Sequence, residues 1–436
     1  MRYTSTRDRG GAEVGFRTAV FQGLAPDGGL FHPVGEVSVR GVLESLPRNA
    51  PFAEIAAAAL QPLLAEEFSP ERVARLAQEA FPFEPQLTSL HPRHHVLELF
   101  HGPSCAFKDF GASFLAHVME DSLVEHNERA IILTATSGDT GSAVARAFFR
   151  RRNIEVVILY PSGRVSPLQE QQLTTLGENV TALEVSGSFD DCQRMVKEAF
   201  RDPALNERFR LTSANSINLG RLLPQALYYI AASVWFGLEP LSFCVPSGNF
   251  GNLTAGVLAW RWGLEVERFI AATNINDVVP EYLETGEYRP RPSAQTYANA
   301  MDVGDPSNFE RLRLLFEEYG EDINAKLVGE RVDDAETLAA MQRVRREYGV
   351  FLDPHTAIGF LAAERYLERS PRSAAPVVTL ATAHPAKFLE VVEQATGERP
   401  EIPERLARTL QLPKQAVMVE NTLAALSEVL NARYSR

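Results

Sequence analysis

Cysteine is scarce in this chain, and the three that occur (Cys105, Cys192, Cys244) stand far apart with no CxxC pair. An odd, scattered set argues against a disulfide framework and shows no metal spacing, and it points to a reducing compartment. Long apolar runs are missing too. The richest, Ala226 to Leu238, is shorter than the roughly 18 residues a membrane helix needs. The first nine residues carry no apolar stretch of the kind a secretory signal has. Positive charge is in deficit, with 43 Lys and Arg against 56 Asp and Glu for a net charge of −13. That balance argues against a binder of nucleic acid or of anionic membrane, yet allows a local basic pocket for a small anion. Internal repeats and low-complexity tracts are absent. What remains is 436 residues, 45% hydrophobic and 23% charged, the composition of a cytoplasmic globular protein with material for two or three domains.

Residues 1–95 read as irregular and mostly helical, with helical patterns over Phe52–Leu64 and Pro70–Ala80. Pro82, Pro85 and Pro92 then break the chain. From there strands and helices alternate. Val96–Phe100, Ala130–Thr134, Ile154–Tyr160, Leu241–Val245, Phe269–Thr273 and Val377–Thr382 are short apolar runs. Between them lie helical patterns at Phe110–His126, Ser142–Arg152, Phe189–Phe200 and Leu253–Trp262. This alternation predicts an α/β fold of mostly parallel sheets, with ligand sites at the C-terminal ends of the strands. Three divisions are expected: 1–95, a smaller α/β domain over 96–210, and a larger one over 211–436. Residues 305–350, charged and helical in spacing, read as solvated helices outside the fold.

Three turns rich in small polar residues fall at predicted strand ends. They are Thr136-Ser137-Gly138-Asp139-Thr140-Gly141-Ser142, Pro246-Ser247-Gly248-Asn249-Phe250-Gly251-Asn252 and Thr382-Ala383-His384-Pro385-Ala386-Lys387. Glycine there allows close backbone approach, and the free N–H groups of a following helix favour an anion. Neither glycine turn matches GxGxxG or GxxxxGK[ST], so nucleotide motifs are not supported. Taken singly, each turn reads equally well as a tight strand-to-helix connection with capping hydroxyls.

Lys108 stands between Phe107 and Phe110 at the start of an amphipathic helix. Desolvation and the positive helix end both lower a lysine's proton affinity there, which suits Schiff-base formation by the neutral amine. On local sequence alone, a surface lysine covering the aromatics with its stem is the simpler reading. The combination shifts the balance. A reactive lysine, a phosphate-cradling turn and a hydroxyl at another strand end are the parts of a pyridoxal-phosphate site.

These motifs resemble the threonine synthase family. The likeness rests on GPSCAFKDFG (102–111), LTATSGDTGSA (133–143), YPSGRVSPLQE (160–170), SANSINLGR (213–221), VPSGNFGN (245–252), AATNINDVVP (271–280) and TAHPAKF (382–388). The opening Tyr3-Thr4-Ser5-Thr6-Arg7 and Gln22 to Phe31 share it, so it spans nearly the whole chain in order. The resemblance implies two α/β domains of the tryptophan synthase β-like fold enclosing pyridoxal 5′-phosphate. It implies conversion of O-phospho-L-homoserine and water to L-threonine and phosphate, the last step of threonine biosynthesis. A monomer or homodimer is expected, and no metal site.

Carried over by position, Lys108 is the lysine that joins the cofactor and then moves protons. Gly248, Asn249, Phe250, Gly251 and Asn252 hold the cofactor phosphate, and Thr382 meets the ring nitrogen. The substrate needs two further anion sites: the α-carboxylate is assigned to the turn at a helix N-terminus, with Thr136, Ser137, Asp139 and Thr140, and the leaving phosphate to Ser104, Arg164, Ser166 and Asn215. The chain departs from the family pattern with Ser104 for threonine, Arg164 for lysine and Asp139 for the asparagine common in the wider fold. The competing readings are a serine/threonine dehydratase or β-replacement enzyme on the same fold, and a non-catalytic binder of a phosphorylated ligand.

Overall fold

The computed structural model describes residues 1–434 apart from 9, 137, 372 and 374. Two sheets carry the chain. The larger orders its strands β11-β10-β9-β12-β4-β3, and the smaller β13-β7-β6-β5-β8. In chain order these are β3 (Gln86–His91), β4 (His94–Glu98), β5 (Ala130–Ala135), β6 (Ile154–Pro161), β7 (Val180–Ser186), β8 (Leu211–Thr212), β9 (Leu241–Pro246), β10 (Val266–Thr273), β11 (Leu327–Arg331), β12 (Val377–Ala381) and β13 (Ala416–Glu420), following an N-terminal antiparallel pair, β1 (Arg2–Ser5) and β2 (Phe31–Val34). Every neighbour in the two sheets is parallel except the β3–β4 hairpin. Every residue of β5 is buried, as are those of β9 and β12. That explains why they read as continuous apolar runs rather than as alternating strands.

The helix Lys108–Glu125 runs through the interior, with thirteen of its residues buried, from Asp109 to Leu123. Phe110 meets Phe52, Phe83 and Tyr228 edge-on at centroid distances of 5.2, 5.0 and 5.8 Å. The N-terminal helix Phe52–Leu64 thereby clamps the helix that begins at Lys108, and such aromatic pairs add about 0.5–1.5 kcal/mol each beyond area burial.

Two expectations need correction. The division at 95/96 and 210/211 does not follow the sheets. β4 lies in the larger sheet, and β13 with the helix Leu423–Tyr434 returns from the C-terminus to complete the smaller one. Residues 305–350 are not merely an outer layer, because β11 is a strand of the larger sheet and Arg311 in the helix Phe309–Glu317 is wholly buried. Charge misled there, since Arg311 satisfies its guanidinium on carbonyls rather than water. It donates to Phe31 O, Ile217 O and Asn308 Oδ1 at 3.0, 3.1 and 2.7 Å.

Candidate active site

The parallel strands deliver their outgoing turns to a common edge, as the topology demands. The turn after β4 folds back onto the turn after β12. Phe107 N–H donates to Thr382 O at 2.8 Å and His384 N–H to Cys105 O at 3.0 Å, around a bridge between Ala106 and Ala383. This short antiparallel contact fixes Lys108 beside Thr382 although 274 positions separate them in the chain. Gly102 is required nearby. A Cβ there would stand 2.5 Å from the Asp109 carboxylate, which accepts the Ser104 N–H at 2.9 Å. Burial pushes Asp109 up to about 6 against that hydrogen bonding.

Lys108 opens its helix with 19% of its side chain exposed. Its amine stands 4.0 Å from Asp139 Oδ2 and 5.4 Å from the Phe107 ring. Burial lowers its proton affinity, and the Lys387 and Arg221 charges lower it further while Asp139 opposes them. Asp139 is 4% exposed and its other oxygen is 2.6 Å from the fully buried Lys387 Nζ. Burial pushes the Asp139 carboxyl up, but the Lys387 and Lys108 charges outweigh it and hold the group well below the usual carboxylate range. Lys387 also donates to Ser104 O at 2.9 Å. Gln172 reaches the same carbonyl at 3.3 Å, and Gln169 donates to Asp139 at 3.3 Å.

The turn after β9 presents a different surface. Phe250 takes the left-handed conformation at φ 59°, and the helix Gly251–Arg261 starts behind it. Among the described residues, the backbone N–H groups of Gly248, Asn249, Phe250, Gly251 and Asn252 donate to no partner. Side chains hold the loop in shape. Asn252 accepts from Ser247 Oγ at 2.7 Å and donates to Pro246 O at 2.8 Å. Asn249 Oδ1 accepts the Ser307 N–H at 3.0 Å, and its carbonyl accepts the Asn308 N–H at 3.3 Å. Five unpaired donors at the positive end of an eleven-residue helix form a cradle for a phosphate. Asn252 contributes only its backbone, since its amide is occupied within the loop.

The residues assigned to substrate divide. Thr136 spends its hydroxyl on the Gly138 and Gly141 N–H groups at 3.1 and 2.9 Å, so it shapes the turn rather than facing a ligand. Asp139 is a counter-ion for two lysines, and an anionic side chain repels a carboxylate instead of binding it. Both expectations are corrected on those grounds. Ser137 lies outside the described residues. Thr140 sits in the first turn of the helix Asp139–Phe148. Ser166 caps the helix Pro167–Thr174 by accepting from the Gln169 N–H at 3.3 Å. Ser104 is fully buried, with its carbonyl turned to Lys387. Arg164 is exposed and its guanidinium has no partner among the described residues. Asn215 is half-buried in the turn after β8, with its N–H on Ser213 Oγ at 3.2 Å.

Comparison with known proteins now bears on the site. A family described as pyridoxal-phosphate dependent enzyme matches residues 93–383. Threonine synthase N terminus matches residues 2–81, and threonine synthase, C-terminal, matches residues 356–430. The chain belongs to the threonine synthase family. A threonine synthase of Haemophilus influenzae is 41% identical over 421 residues, covering 96% of this chain and 97% of that protein. The crystal structure of pyridoxal-phosphate-bound threonine synthase from Brucella melitensis superposes with a TM-score of 0.91 at 38% identity, covering 99% of both chains. By contrast, a threonine deaminase of Solanum lycopersicum shares the wider fold at TM-score 0.56 and 17% identity, over 70% of this chain.

As in other threonine synthases, the cofactor is pyridoxal phosphate, and the residues present fit it. The unpaired N–H cradle suits its phosphate. Lys108 supplies an amine of reduced proton affinity, and Thr382 Oγ1 makes no hydrogen bond among the described residues. Gly248 tests the cradle, because a Cβ there would lie 2.6 Å from the Ala300 carbonyl oxygen and 2.9 Å from Met301 Cα. Gly248→Ala displaces the loop and weakens retention of the cofactor about tenfold or more, read by titrating the stripped protein with pyridoxal phosphate. Two site residues escaped the sequence reading. Lys387 lay inside a recognised motif but carried no assigned role, and Asp139 was given the wrong partner. Arginine supplies nearly all of the positive charge, the lysines being Lys108, Lys197, Lys326, Lys387 and Lys414. A lysine at 387 was therefore itself a signal. Among the described residues no helix is long and apolar enough to cross a membrane.

Proposed function

We propose that this chain converts O-phospho-L-homoserine and water to L-threonine and phosphate. The observation that carries this reading is the match to threonine synthases beyond the shared fold, through both the N-terminal 2–81 and the C-terminal 356–430 segments. The same observation disfavours a dehydratase, whose likeness covers only the common part of the chain.

Bound pyridoxal phosphate supplies an electron sink that stabilises negative charge on the substrate carbons next to the reacting amine. The protein's own groups do the rest. Lys108 Nζ holds the cofactor until the substrate amine takes its place, and the freed amine then removes the α-proton and carries protons along the substrate chain. Burial and the neighbouring Lys387 and Arg221 charges lower its proton affinity, the direction that general-base work requires. The amides of 248–252 anchor the phosphate of the cofactor. Thr382 offers a neutral hydroxyl to the ring nitrogen, so no charge is imposed there.

The substrate α-carboxylate is assigned to the N-terminal end of the helix Asp139–Phe148, through backbone N–H groups and the Thr140 side chain rather than Thr136 or Asp139. Arg164 grips the leaving phosphate, since an unpartnered guanidinium can donate two parallel hydrogen bonds. Asn215 assists it, while Ser104 and Ser166 shape the surrounding turns. The test is an assay of purified holoenzyme for phosphate and threonine from O-phospho-L-homoserine. Equimolar release of both is expected. Ammonia and a keto acid from threonine or serine, without phosphate release, would transfer the protein to the dehydratase reading.

A further inference from the structure

Lys387 is a buried cation at the site, and no step above uses it. It comes from the turn after β12 in the larger sheet, and it meets Asp139, which follows β5 in the smaller sheet. With Lys108 on the far side of the same carboxylate, the order is cation, anion, cation at 2.6 and 4.0 Å. The two distances are unequal. The closer, fully buried ammonium takes the larger share of the Asp139 charge, and Gln169 takes some of what remains. We infer that Lys387 is a positioning residue: by claiming Asp139, it keeps the Lys108 amine available for covalent capture of the cofactor. The inference rests on Lys108 being the lysine that joins pyridoxal phosphate.

The chemistry requires such an arrangement. Lysine attacks an aldehyde only as the free amine, whose lone pair forms the C–N bond while the carbonyl oxygen leaves as water. An ammonium has no lone pair and must lose its proton first. A lone Asp139 facing Lys108 in a buried site would hold that proton in place. With Lys387 present, protonating Lys108 adds a second cation beside one carboxylate, which the site disfavours. The remaining charges around the amine point the same way. Arg221, buried in the helix Leu219–Leu222, repels a proton on Lys108. The Asp109 charge acts on Arg221, and Lys387 in turn lowers Asp109, while the buried His355 in the helix Pro354–Arg369 pairs its Nδ1 with Asp353 at 2.7 Å and also favours ionised Asp139.

The experiment measures the rate at which the full-length protein, stripped of cofactor, captures pyridoxal phosphate at Lys108. Adducts are fixed with borohydride, mapped by peptide mass, and followed across neutral to alkaline pH. Lys387→Met frees Asp139 for Lys108, so the midpoint of the rate profile moves up by about one pH unit and capture at neutral pH slows about tenfold. Asp139→Asn acts in the opposite sense. It removes the anion while leaving both cations, and the midpoint falls. The double variant Lys387→Met/Asp139→Asn returns toward the wild type. Opposite signs from two substitutions at one contact separate this role from simple loosening of the site, which would shift both alike. Equal midpoints in Lys387→Met and wild type overturn the inference, as do shifts of the same sign in both single variants. Failure of the wild type itself to capture the cofactor at Lys108 would instead overturn the underlying assignment.

Discussion

Lys108→Ala yields a folded protein that releases phosphate from O-phospho-L-homoserine at least about 10⁴-fold more slowly than the wild type. The side chain is not a packing element. It reaches toward the site with 19% of its surface open, so its removal leaves no closed cavity. The clamp on its helix is made by Phe110 against Phe52, Phe83 and Tyr228, and remains intact. The phosphate cradle also remains, since it depends on residues 247–252 and their contacts with Ser307 and Asn308. The variant therefore still binds pyridoxal phosphate weakly and reversibly. Its absorbance is that of the free aldehyde, and borohydride fixes nothing at position 108. Unaltered turnover in this variant would remove Lys108 from the chemistry.

The second large effect is on stability. Arg311→Ala destabilises the protein by about 3–5 kcal/mol, through three acceptors left unpaired and the volume left behind. The guanidinium is wholly buried and pulled down to about 9 by burial, with Glu310 opposing. Its partners come from separate parts of the chain: Phe31 in β2, Ile217 before the helix Leu219–Leu222, and Asn308. Asn308 in turn donates its N–H to Asn249 in the phosphate cradle. Loss of Arg311 therefore loosens the N-terminal segment and lowers affinity for the cofactor together. Denaturant midpoints, with and without saturating pyridoxal phosphate, measure both effects. A change of under about 1 kcal/mol would mean that water replaces the guanidinium without loss.

Much of this architecture was readable in advance. The helices Phe52–Leu64 and Pro70–Ala80 match the expected limits, and each buried strand read as an apolar run matches a strand within one to three residues at each end. Short turn sequences exposed the cradle and Lys108 because glycine and small polar residues cluster where strands hand over to helices. The buried strand β7, which lies between β13 and β6, went unread. β11 and β13 are edge strands with exposed or half-buried faces, so neither carries the continuous apolar signal of a central strand. The split of labour among Thr136, Asp139 and Lys387 depends on where three turns meet. No local pattern reports that the carboxylate at 139 faces an ammonium 248 positions later. Charge was equally ambiguous at Arg311, where a helix with glutamates on either side looked solvated.

The return of β13 to the smaller sheet affects the order in which this protein can be made. β5 to β8 emerge from the ribosome by residue 212, but their outer neighbour arrives only with residues 416–420. Until then β7 is an edge, with a row of unpaired backbone N–H and C=O groups, and the apolar faces of Leu183 and Val185 lack the cover of Val419 and Leu426. About 200 residues of the other sheet are synthesised meanwhile. The smaller sheet thus spends about half of translation as an open template, and a nascent chain of this length depends on shielding of that edge to avoid pairing with a neighbour.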